Sequence, residues 1–118
     1  MDKTNAGYQD RLGTVLAARS RFKEAVGHLT EATRLAPQNA AFHAHLGATL
    51  LNLRRFTEAE SALRKAINLD SEPGRYHADR ALALAALERH NEARKEALIA
   101  AGQGVKEHPA LNLLNLSK

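Results

Sequence analysis

The chain has no cysteine and no tryptophan, and only five aromatic side chains, two Tyr and three Phe, in 118 residues. Without thiols there is no disulfide, no thiolate nucleophile and no cysteine-ligated zinc, a composition compatible with a reducing cytosol. Proline is scarce too, three in all, which leaves long stretches free to be helical. No apolar run approaches the ~20 residues of a membrane-spanning helix. The opening Met1-Asp2-Lys3-Thr4-Asn5 lacks the charged-then-apolar form of a secretory signal. A cytoplasmic location with no membrane partner is expected. Catalytic signatures are missing: there is no Gly-x-Ser-x-Gly elbow, no phosphate-binding Gly-Lys loop and no His-Glu-x-x-His pair. Gly102-Gln103-Gly104 follows a helical stretch instead of a strand, so it is not a dinucleotide turn. Neither enzyme activity nor a cofactor is expected.

What the chain does have is a period. Gly13, Gly47 and Ala81 stand 34 residues apart, as do Ala25, Ala59 and Ala93, and Ala32, Ala66 and Ala100. Leu16, Leu50 and Leu84 form another column, and Leu29, Leu63 and Ala97 a further one. Every aromatic falls into one of two columns: Tyr8, Phe42 and Tyr76, or Phe22 and Phe56 followed by His90. A recurrence of this length built on small side chains marks a helix-turn-helix solenoid, in which each unit buries its apolar face against its neighbours. Gly13 and Gly47 sit mid-helix, where Gly costs roughly 1 kcal/mol relative to Ala. Close approach of the partner helix, at Ala25 and Ala59, is the expected compensation.

The run Leu12-Gly13, Leu16, Ala25, Leu29, Ala32 and Pro37 resembles the tetratricopeptide repeat (TPR). The second unit repeats it with Leu46, Gly47, Leu50, Ala59, Leu63 and Ala66, although Ser71 replaces the Pro. The third keeps Ala81, Leu84, Ala93 and Ala100 but has Arg80 in the Leu column and Val105 in the Pro column. The resemblance implies an all-α, right-handed superhelix of three helix-turn-helix repeats plus a C-terminal capping helix. The repeats occupy 6–39, 40–73 and 74–107 of a single domain spanning 1–118. Residues 108–118 are expected to be the capping helix or the start of a truncated fourth repeat.

Helices are expected near 6–18, 22–35, 40–53, 56–69, 74–87 and 91–101, with Asn5 and Asn39 as N-caps. Gly102 and Gly104 flank the expected stop of the sixth. Arg80 must either reach solvent or meet an acid, for which Asp79, Glu96 and Glu107 are the candidates. In the tail, Leu111 and Leu114 are expected to face Ala97 and Ala100, leaving Leu113 and Leu116 outward. Those outer leucines point to a homo-oligomer or to the continuation of a longer protein.

Charge and histidine add little. The net charge of +4 is spread over the three units. Arg19, Arg21, Lys23, Arg54, Arg55 and Arg89 recur at the turn inside each unit, where an aligned ridge would meet phosphates. Nucleic acid is nevertheless not the expected partner, because the aromatics needed for base stacking are used in the repeat columns. His43 and His77 occupy a packing column, and His43 and His45 diverge on one helix, so no metal site is expected.

In the family resembled, the first helix of each unit lines a concave groove that holds a peptide or helix of a partner. The groove residues here are Arg11, Thr14, His45, Ala48, Leu51, Asn52, Arg75, Asp79 and Leu82. Many chaperone adaptors of the family grip a C-terminal carboxylate through Lys, Asn and Arg. At the matching places stand Asp10, Thr14, His45, Arg75 and Asp79, of which only Arg75 keeps that chemistry. An Ala-rich floor with Leu51 and Leu82 suits a partner with an apolar face instead. The expected function is a protein-interaction adaptor or scaffold for a protein or peptide partner. Two alternatives stay open: a repeat segment of a larger, enzyme-linked protein, and a binder of nucleic acid or an anionic surface through the turn arginines.

Overall fold

A computed structural model describes residues 5–115. Six α-helices run in order: α1 (Ala6–Ala18), α2 (Phe22–Leu35), α3 (Ala40–Asn52), α4 (Phe56–Leu69), α5 (Gly74–Ala86) and α6 (His90–Gly102). A 3-10 helix, Pro109–Asn115, follows them. Among the described residues there is no strand.

Local chemistry sets the helix ends. Asn5 Oδ1 accepts from the Tyr8 amide at 3.0 Å and Asn39 Oδ1 from the Phe42 amide at 3.2 Å, which caps α1 and α3. The second helix of each unit starts differently. Arg21, Arg55 and Arg89 stand at its N-cap and grip Glu24, Glu58 and Glu92 three residues on through two parallel bonds of 2.7–2.9 Å. Each glutamate also places negative charge on the positive end of the helix. The turns preceding these helices share one conformation. Ser20, Arg54 and Glu88 adopt φ of 63°, 60° and 62°, and the next amide bonds back to the carbonyl of Leu16, Leu50 or Leu84. Gly104, at φ 92°, closes α6 in the same way, while Gly102 belongs to the helix itself and not to its stop.

Helices pair antiparallel within units (α1/α2, α3/α4, α5/α6), and the units stack through α2/α3 and α4/α5 and, more lightly, α1/α3 and α3/α5. The stack measures 53 × 25 × 22 Å. Its core is mostly alanine: Ala25, Ala32, Ala59, Ala66, Ala93 and Ala100 are completely buried, and among the described residues only Leu29, Leu63 and Leu84 are large and fully enclosed. The mid-helix glycines are explained by leucine more than by alanine. A Cβ on Gly13 would lie 2.6 Å from Leu29 Cγ, and one on Gly47 would lie 2.6 Å from Leu63 Cγ.

Arg80 sits among acids. Its Nε donates to Glu60 Oε2 at 3.0 Å and its Nη1 to Glu96 Oε1. Of the expected partners Glu96 is present, Asp79 and Glu107 are not, and Glu60 of the preceding unit completes the set. The column comparison explains why. In unit two the matching residue is Leu46, and the positions matching Glu60 and Glu96 are Val26 and Ala62. Three apolar residues have been replaced together by one arginine and two glutamates.

The tail docks, but with a different face from the one expected. Ala110 is completely buried with Ala78, Ala81, Ala97 and Ala100, and Leu113 and Leu114 pack on that cluster. Leu111 is only half-buried and is not part of it, and Leu116 lies outside the described residues. A 3-10 helix repeats every three residues instead of 3.6. That spacing puts Ala110 and Leu113 on one stripe, so Leu113 turns inward and no longer supports an outward apolar face.

Candidate functional site

The first helices of the units supply the candidate site. On α3 and α5, residues two turns apart converge on a cavity of about 420 Å³ lined by Ala48, Leu51, Asn52, Arg75, Asp79 and Leu82, with Glu107, His108 and Pro109 as its far wall. Six of the nine residues expected from the sequence therefore share one cavity. Arg11, Thr14 and His45 lie elsewhere. Arg11 borders a shallow depression with Tyr8, Leu12 and Val15. The Thr14 hydroxyl donates to its own helix at the Arg11 carbonyl, 2.9 Å away. His45 meets Asp10 at 2.8 Å, bridging α1 and α3.

The cavity floor is apolar and anchored. Leu51 packs on the cluster of Leu50, Ala59, Ala62 and Ala83, and Leu82 on that of Ala78, Ala81, Ala97, Ala100 and Ala110. Each leucine is thus both core and lining. At the rim, Asn52 Nδ2 donates to the Ala48 carbonyl at 3.1 Å, leaving its amide oxygen outward. Arg75 is the exposed charge, with most of its side chain in solvent and Asp79 3.8 Å away.

The two acids of this face are occupied. Asp79, 6% exposed, accepts from His108 Nε2 at 2.7 Å. The other ring nitrogen of His108 accepts from the Ala110 amide at 3.0 Å, which fixes the tautomer with the hydrogen on Nε2. Asp79 is therefore a strut that ties the tail to α5 more than a charge offered to a ligand. Sequence reasoning missed residues 107–109 because the tail was expected to meet the sixth helix, near Ala97 and Ala100, and no part of the groove was assigned to it. The signal was Pro109, which disfavours helix at the residue before it and so leaves His108 outside any helix, where it meets Asp79 on α5.

Four of the turn arginines, Arg21, Arg54, Arg55 and Arg89, are also occupied. The bidentate partners raise the pKa of Arg55 and Arg89, and lower those of Glu58 and Glu92, chiefly through the side-chain hydrogen bonds. Arg54 lies over the Phe56 ring at 5.3 Å. The ridge carries alternating charge, so its net attraction for phosphate is small. Among the described residues no group of three metal-ligating side chains converges, and no helix is long and apolar enough to cross a membrane.

A family profile described as tetratricopeptide repeat matches residues 16–83. No curated protein matches the chain in sequence. Among solved structures, the Arabidopsis OM64 TPR domain superposes with a TM-score of 0.89 at 23% identity, covering 94% of this chain and 92% of that one. The TPR2B domain of yeast Sti1, solved as a complex with an Hsp70 peptide, gives 0.79 at 26% identity over 83% of this chain and 78% of that one. The first TPR domain of human RPAP3 gives 0.86 at 21% identity over 98% and 92%. These similarities span the whole stack and establish its architecture: a right-handed all-α superhelix of three repeats with a C-terminal cap.

Proposed function

This chain belongs to the tetratricopeptide repeat family, and from that premise we propose that it is an adaptor that holds a peptide or helix of a protein partner in the cavity between α3, α5 and the tail. The observation that carries the reading is the convergence of Ala48, Leu51 and Leu82 into an apolar floor beside Arg75 and Asn52. A partner side chain with an apolar body fills such a floor, and the exposed guanidinium and amide fix its backbone. The yeast Sti1 domain was solved with an Hsp70 peptide, which supports a peptide as the occupant. A terminal carboxylate is a poor fit here, because Asp10, Thr14, His45 and Asp79 stand where the family's adaptors place carboxylate-binding groups.

Affinity capture tests the reading. The chain should retain a protein partner that Arg75→Glu and Leu51→Ala variants of matched melting temperature release. Equal retention by all three proteins overturns the assignment of this cavity.

A further inference from the structure

Comparison of the three units with one another points to a second site, on the opposite side of the stack. In each unit a polar residue of the first helix faces one position of the second helix. In unit one Gln9 Oε1 accepts from His28 Nδ1 at 2.8 Å. In unit three His77 Nδ1 meets Glu96 Oε2 at 2.7 Å. In unit two the corresponding residues are His43 and Ala62, so the bond has no second member.

The two histidines are held alike. His77 Nε2 donates to the Ser71 carbonyl and His43 Nε2 to the Pro37 carbonyl, each at 2.9 Å and each six residues back. The Nδ1 atoms therefore point the same way relative to their units. Among the described residues nothing meets His43 Nδ1, and no side-chain nitrogen sealed from solvent lacks a partner. This nitrogen therefore keeps some exposure to solvent, and its match with His77 Nδ1 aims it at Ala62, the position of Glu96, on the wall of the cavity beside it. That cavity, about 460 Å³, is floored by Val26, Leu46, Leu50 and Ala62, with His43 and Lys65 on its wall. Its size falls within the usual range for small-molecule sites, roughly 300–1,000 Å³.

The third unit shows what fits there. Glu96 places a carboxylate against His77, and its second oxygen takes Arg80. In unit two Leu46 stands in place of Arg80, so the space beyond the carboxylate is apolar. Arg55 and Glu58 on the rim neutralise each other at 2.7 Å, whereas Lys65 has no ion-pair partner among the described residues and leaves the mouth cationic. We propose that this cavity binds a short-chain monocarboxylate. Its carboxylate occupies the place that the Glu96 side chain fills in unit three and pairs with the imidazolium form of His43, in which Nε2–H stays on the Pro37 carbonyl and the second proton, on Nδ1, is donated to the ligand, while Lys65 draws the anion in. Its alkyl stem lies on Val26, Leu46 and Leu50. The site is independent of the concave cavity and does not rest on the adaptor reading.

Hexanoate titrated into the ¹⁵N-labelled chain tests this by NMR. Saturable shifts are expected at the His43 ring and at the Ala62 and Lys65 amides, with a Kd of about 1 mM or tighter. Hexanamide, which lacks the charge, should bind at least about tenfold more weakly. Ala62→Glu supplies the carboxylate from within and should abolish hexanoate binding. His43→Gln copies the residue that unit one carries as Gln9, so it preserves the fold, and it should also remove the site. Absence of saturable shifts, equal binding of hexanamide, or unchanged binding in His43→Gln overturns the proposal. Tighter binding of an N-acetyl-glutamate amide than of hexanoate would overturn the small-molecule assignment in favour of a peptide glutamate.

Discussion

Restoring the leucine that the repeat places at position 80 is expected to harm the protein. Arg80→Leu removes the cation shared by Glu60 and Glu96, which are 4% and 6% exposed. Breaking a buried ion pair from one side costs about 3–5 kcal/mol, and burial of the new leucine returns about 1 kcal/mol of that. Glu96 retains His77 at 2.7 Å, and Glu60 retains Arg64 at 3.5 Å and Arg89 at 4.0 Å, which places the loss toward the lower end. A net cost of about 2–4 kcal/mol corresponds to a fall in Tm of roughly 8–16 °C for a chain of this size. The companion variant Arg80→Leu/Glu60→Val/Glu96→Ala copies Leu46, Val26 and Ala62 from the preceding interface. Replacing a buried ion network with apolar residues of matched shape is commonly neutral or stabilising by about 1–4 kcal/mol, so the triple variant should melt at or above the parent. Urea and thermal melts followed by circular dichroism read both quantities. The reasoning fails if Arg80→Leu melts with the parent, or if the triple variant is less stable than the single one.

Four further outcomes follow from the geometry. Glu88 holds φ 62° without being glycine, so Glu88→Gly should stabilise by about 1 kcal/mol, read as a higher Tm. Gly47→Ala drives a Cβ to 2.6 Å from the enclosed Leu63 and should cost about 1–3 kcal/mol. Arg55 lowers the pKa of Glu58 by hydrogen bonding; the stability linked to that pair is present above the unfolded glutamate value of about 4.3 and is lost as pH falls through the folded one. Arg55→Ala should therefore move the Glu58 midpoint upward in an NMR titration. Truncation after Glu107 uncovers the alanine cluster beneath Ala110, Leu113 and Leu114 and should cost about 2–4 kcal/mol in a chemical melt.

The helices were legible because their signals are local. Asn5, Asn39 and the 34-residue columns locate boundaries without knowledge of the partner surfaces. What escaped depends on contacts across units. Glu60 lies in the preceding repeat from Arg80, and only reading Val26, Leu46 and Ala62 as a matched set discloses the exchange. The tail was misread because a 3.6-residue period was applied to a segment that follows a three-residue one, which exchanged the inward roles of Leu111 and Leu113. The groove residues divide for a similar reason. Ala48 through Leu82 line one cavity, while His45 is drawn aside by Asp10 and Thr14 by its own backbone.

Helices of the first unit touch those of the second, and the second those of the third, but no helix of the first touches one of the third. Mechanically and thermodynamically the molecule is a chain of links, and the middle link is the sole coupler. A destabilising change in α3 or α4 does more than weaken its own unit. It deprives the first unit of the one unit that packs on it and leaves the third with the tail alone, and a lone helical pair has little independent stability. Equal lesions at the two ends and in the middle should therefore have unequal effects: an end lesion frays, whereas a central one dissolves the cooperativity of the whole array.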